Sequence, residues 1–153
     1  MGTALAVAAI SVASGEQLRR INFCFEETLA PLRLSQLEQG IGHCDRVIGN
    51  RATAEQRRGA AYAQRGLMRA RQWSILNVTE YAVQGISDIT EGLRLHTPVL
   101  ERKHQLLLTR AQLYIATGQI RQAGNDYTTI LNEDPANIEA KSGRSRIGAL
   151  EGS

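Results

Sequence analysis

Apolar side chains recur every three or four residues along most of this chain, and no stretch alternates as a strand requires. The pattern predicts seven helices. The first covers Glu16 to Leu29, with Leu18, Ile21, Phe25 and Leu29 on one face, and Ala30-Pro31-Leu32 breaks it. The second runs from Ser35, as N-cap, to Ile48, and Gly49-Asn50-Arg51 ends it with residues that tolerate left-handed geometry. The third starts at Thr53, which stands at capping-box spacing from Gln56, and reaches about Arg71. A less regular stretch, Gln72 to Thr79, leads into a fourth helix that ends at Leu95 before Thr97-Pro98. Leu100 to Ala116 and Ile120 to Asn132 follow, separated by a tight turn at Thr117-Gly118 and closed by Asp134-Pro135. The last helix, Asn137 to Leu150, is polar enough to cover an apolar face on one side and meet water on the other.

A second pattern lies over the first. Leu107, Ala111 and Tyr114 place a large, a small and an aromatic residue on one helix; Ala123 and Tyr127 repeat small and aromatic on the next, and Pro135 closes the unit. Earlier helices carry similar spacings: Gly40, Cys44, Val47 and Gly85, Ile89, Gly92 beside Ala123, Tyr127, Ile130, and Tyr62, Arg65, Gly66 beside Leu107, Arg110, Ala111. A small residue lets a partner helix approach, and a large one a turn away fills the space beside it. These residues resemble the tetratricopeptide repeat family, over about Leu37 to Pro135 and most specifically in the last unit. The stretch Cys44 to Pro98, with Ala61-Tyr62-Ala63-Gln64-Arg65-Gly66 inside it, looks like the bacterial branch often found in exported proteins. Two features depart from the family pattern. About seven extra residues around Gln72 to Thr79 lengthen either the inter-helix loop or the helix, and Arg69 stands at an aromatic position.

The resemblance implies an all-α fold, an α-solenoid of about three tetratricopeptide-like helix pairs with a C-terminal capping helix. It implies a protein–protein interaction module, an adaptor or assembly factor, whose first helices line a concave groove. By alignment that groove holds Ala63, Leu67 and Ala70 from the middle unit and Leu108, Gln112 and Ile115 from the last. The Lys and Asn arrangement with which some members clamp a terminal carboxylate is absent, so an apolar or helical partner segment is expected. Three repeats are near the minimum for a stable stack, and self-association through Leu37 and Ile41 could complete a weak first one.

Composition adds a few constraints. With 153 residues, the chain is read as one repeat domain over 16–153 behind a signal-like or disordered leader over 1–15. The apolar run Ala4 to Ala13 has signal-peptide length but no preceding Lys or Arg, which leaves export and a cytoplasmic location both open. It is too short to span a membrane. Cys24 and Cys44 flank the turn near Pro31, so an antiparallel hairpin brings them side by side; export would make them a disulfide, the cytosol buried thiols.

The net charge of +3 is mild, but Arg57 to Arg71 holds five arginines and no acid. Arg58, Arg65 and Arg69 share one helical face, which offers an alternative function in binding an acidic ligand or nucleic acid. Nucleic acid is disfavoured, because only Tyr62 and Trp73 interleave the arginines. No enzyme activity is expected. Neighbouring residues on a helix diverge, so His43, Cys44 and Asp45 do not converge as a catalytic set. Asp88 and Glu91 share a helix face, as surface acids commonly do. No cofactor fingerprint is present, and His43, His96 and His104 have no ligand spacing for a metal.

Overall fold

The computed structural model describes residues 24–25 and 33–151. The described residues form six helices and no strand: α1 Leu34–Gly49, α2 Glu55–Leu76, α3 Thr79–Leu95, α4 Leu100–Ala116, α5 Ile120–Glu133 and α6 Ile138–Glu151. The expected leader, and the expected first helix apart from Cys24 and Phe25, lie outside the described residues. Each helix packs on the one that follows it, and α2 also meets α4.

Helix ends follow local chemistry, though not always at the expected residue. Ser35 is not the cap of α1. Arg33 takes that place, and its backbone N–H donates to Gln36 Oε1 at 2.9 Å. Thr53 does not cap α2 either; Ala54 does, and Glu55 sets a negative charge against the helix N-terminus. Asn50, expected to allow a left-handed exit, is extended, with φ −79°. Left-handed geometry occurs instead at Asn77, φ 52°, and Gly118, φ 75°. At Gly118 a Schellman motif closes α4: Gly118 N–H donates to the Ile115 carbonyl at 3.1 Å and Gln119 N–H to that of Tyr114 at 2.7 Å. Asn137 caps α6 by accepting the Ala140 N–H at 3.0 Å.

The stretch Gln72 to Thr79 is not irregular. α2 continues through Leu76, and only Asn77 and Val78 separate it from α3. The extra residues are therefore helix: α2 has 22 residues where α4 has 17, and α3 has 17 where α5 has 14. The lengthened tip exposes Ile75, Leu76, Val78 and Val83.

Glycines set the closeness of the α2–α3 pair. A Cβ on Gly92 would stand 2.6 Å from the Ala63 backbone nitrogen, and one on Gly66 2.7 Å from Ile89 Cγ1. A Cβ on Gly59 would meet Leu95 and His96 at under 3 Å. Ala63, Ala82, Ile89, Leu106 and Leu113 then form one core across α2, α3 and α4. Leu107, Ala111, Ala123, Tyr127, Ile130, Ala140 and Ile147 form a second across α4, α5 and α6, and Leu93 packs against both. Each leucine or isoleucine among them contributes roughly 1.5–3 kcal/mol on full burial. Gly143 of α6 faces the Tyr127 ring, so α6 covers this second core through Ala140, Gly143 and Ile147.

Cys24 and Cys44 are joined by a disulfide, with Cα atoms 5.0 Å apart. Both are buried, and their cluster reaches α2 through Ala61, with Phe25, Val47 and Ile48 around it. This small cluster shares no residue with the two larger cores. Reduction is therefore expected to lower stability by about 3 kcal/mol, the loop-closure value for a ring of this size. Hydrogen exchange with and without reductant checks it. Protection should fall in α1 and the start of α2 and persist in α4 to α6. An even loss along the chain would show that the disulfide holds the whole domain.

Candidate functional site

The arginines of α2 are the most chemically distinctive side chains of the fold. Arg65 donates through Nε to Asp88 Oδ2 at 2.8 Å and through Nη2 to Asp88 Oδ1 at 2.6 Å. Its third nitrogen, Nη1, reaches back to Asp45 Oδ1 of α1 at 2.6 Å. One guanidinium thus ties α2 to the helix before it and the helix after it. Arg69 Nη1 adds a second cation to Asp88 at 3.3 Å. Burial opposes the charge on Arg65, but its hydrogen bonds to Asp88 and Asp45 outweigh that and raise its pKa. The Arg65 guanidinium also lies 5.2 Å from the Tyr62 ring centroid.

The same device recurs in the next helix pair. Arg110 donates through Nε and Nη2 to Asp126 at 2.9 and 2.6 Å, and through Nη1 to Thr90 Oγ1 of α3 at 3.0 Å. In both cases the reach backward spans 20 residues. The forward reach spans 23 residues for Arg65 and 16 for Arg110, and the lengthened α2–α3 tip accounts for the difference. Burial again opposes the Arg110 charge, and Asp126 overcomes it and raises the pKa. Asp88 and Asp126 are each 4% exposed, so Asp88 is not the ordinary surface acid its helical neighbourhood suggests. Glu91 on the same helix does face solvent, paired with Arg94.

This geometry changes the reading of the basic face. Arg65 and Arg69 are committed to carboxylates inside the protein. Arg58 lies beside Glu55, Tyr62, Glu91 and Arg94 around an open depression of about 320 Å³. A wider cleft of about 750 Å³ is lined by Tyr62, Arg65, Arg69, Val83, Ser87 and Glu91, among others. The expected uncompensated arginine strip is therefore a mixed-charge surface.

The expected groove residues fall on the neighbouring helices α2 and α4, which Arg102 and Gln64 bridge by a hydrogen bond. Ala63 is buried against Gly92 and serves the α2–α3 contact, leaving it little surface to offer a partner. Leu67 and Ala70 are half-buried beside the first core, and Leu108 and Ile115 beside the second. Gln112 is exposed. Leu37, expected at a dimer contact, is fully buried within the chain and can offer no surface to a second copy.

Other polar clusters are structural in geometry. His104 Nε2 lies 3.0 Å from Glu133 Oε2, and Lys103 pairs with the other oxygen. Lys103 holds the Glu133 carboxyl below its usual range, against the opposing effect of burial and with help from His104. No group of His, Cys, Asp and Glu among the described residues could hold a metal ion, and no described helix is long and apolar enough to cross a membrane. Cys44 is held in the disulfide, so it carries no thiol beside His43 and Asp45. Sequence reasoning missed Asp88 and Asp126, although Arg-small and Asp-large dipeptides stand in both units as Arg65-Gly66, Arg110-Ala111, Asp88-Ile89 and Asp126-Tyr127.

No family model, curated protein or solved structure matches this chain.

Proposed function

We propose that the protein is a protein–protein interaction module, an adaptor or assembly factor built from tetratricopeptide-like helix pairs stacked as a short solenoid. The observation that carries this reading is the repeated arginine bridge. Arg65 and Arg110 each join three successive helices with the same three nitrogens. Two helix pairs related in this way present α2 and α4 side by side, and their open face carries Leu67, Leu108, Gln112 and Ile115. A preformed face of this kind binds an apolar or helical segment with little ordering cost on its own side. The disulfide favours an oxidising compartment, and so an exported protein.

Capture from the native cell on wild-type protein and on a Gln112→Arg/Ile115→Ser variant tests the reading. A stoichiometric partner is expected on the wild type at low and high salt, and its loss on the variant. Binding that survives the variant but collapses with salt would favour the alternative, an acidic ligand or nucleic acid on the arginine-rich helix 57–71, because released counterions make such binding steeply salt-dependent. The internal pairing of Arg65 and Arg69 weighs against that alternative.

A further inference from the structure

We propose that the outward face of α6 docks an acidic amphipathic helix of a partner protein, with Arg144 as the anchor. The proposal rests on the interaction-module reading and names a second surface and a partner chemistry for it. Arg65 and Arg110 each lie across a residue 20 positions earlier and then take an aspartate from the helix that follows. Arg144 shares the 20-residue spacing, over a glycine that has no side chain to accept a hydrogen bond. It lies across Gly124, also 20 positions earlier, with Nη1 2.9 Å from where a Gly124 Cβ would stand. The second half of the arrangement is open among the residues whose side chains are described: Arg144 is exposed, and no carboxylate of theirs pairs with it.

The surroundings fit an acidic helix rather than a neutral one. Lys141, one turn before Arg144, is exposed on the same flank of α6, whereas Arg146 lies with Glu139 on the other flank. Ser145, Gly148 and Ala149 are small and exposed, and a Cβ on Gly148 would meet nothing within 4 Å, so a second helix can lie close. Ile138, 78% exposed, adds an apolar contact at the start of α6. A carboxylate placed as Asp88 and Asp126 are would receive the charge-assisted, two-pronged bond that this fold makes twice already.

The probe is a labelled, helix-stabilised peptide with the α5 sequence, residues 120–133, which carries Asp126 in a setting an arginine of this fold recognises. Fluorescence anisotropy reads its binding to the full, oxidised chain. Saturable binding is expected, weakened about tenfold or more both by Arg144→Ala in the protein and by D126N in the peptide. Circular dichroism confirms that the exposed Arg144→Ala variant stays folded. Absence of saturation at about millimolar peptide, a Kd above the weak-binding range, overturns the proposal. So does binding that Arg144→Ala leaves unchanged. Loss of binding on Gln112→Arg/Ile115→Ser, with Arg144→Ala unaffected, would place the peptide in the α2–α4 face, refuting this proposal and sparing the groove reading.

Discussion

Asp88→Ala is expected to cost about 3–5 kcal/mol of stability, the usual penalty for removing one partner of a buried ion pair. The carboxylate is 4% exposed and receives three nitrogen contacts, two from Arg65 and one from Arg69. Its removal leaves two guanidinium groups facing each other with only Asp45, half-exposed, to answer them. The net worth of the intact cluster is a separate matter, since desolvation offsets much of the attraction. A double-mutant cycle with Arg65→Leu separates the two. The Asp88→Ala loss should shrink when Arg65 is already apolar, by a coupling of about 1–3 kcal/mol. Urea unfolding of the four proteins measures it. Additive losses would show that the bridge is incidental to the fold.

Gly92→Val is expected to cost about 3 kcal/mol or more, at the upper end for overpacking. The added Cβ would meet Ala63 N at 2.6 Å and Ala63 Cα at 2.8 Å, and backbone atoms of a packed helix cannot step aside as a flexible side chain can. The α2–α3 pair would have to separate, opening the core of Ala63, Ile89 and Leu113. Gly42→Ala provides the contrast. A Cβ there meets nothing within 4 Å, so the substitution is expected to raise stability by about 0.5–1 kcal/mol through helix propensity alone. Opposite signs at two helical glycines, read by thermal unfolding, test whether close approach is the reason for Gly92. A similar small change at both would sink it.

Helix periodicity and the Thr97-Pro98, Thr117-Gly118 and Asp134-Pro135 signals placed α3 to α6 well, because those breaks depend on local backbone chemistry. Caps were harder to read. Ser35 and Thr53 are good cap residues in isolation, but the helices begin at Leu34 and Glu55, after Arg33 and Ala54. The extension of α2 over Gln72 to Leu76 was one of two readings the sequence left open, because Trp73, Ser74 and Ile75 have only middling helix propensity. The arginine bridges were hidden. Arg65 and Asp88 sit on different helices 23 residues apart, and each reads as a solvent-facing charge until the two are placed together. Of the candidate groove, the apolar character of Leu67, Leu108 and Ile115 was legible, whereas the burial of Ala63 depends on a glycine in the opposite helix.

The long α2–α3 pair and the shorter α4–α5 pair make the same bridge although the separations of their arginine and aspartate differ by seven residues. Seven residues shared between two antiparallel arms is about one turn in each. Such an increment returns every side chain to the face it had before, so the bridge, the glycine contacts and the core below are untouched while the tip moves outward. The hairpin thus has a natural unit of length. Additions of one or two residues would rotate one arm against the other and misplace Asp88, whereas whole-turn additions change only how far Ile75, Leu76, Val78 and Val83 stand from the body of the protein. Reach can therefore vary in steps, independently of stability, at a tip where apolar side chains stand in water.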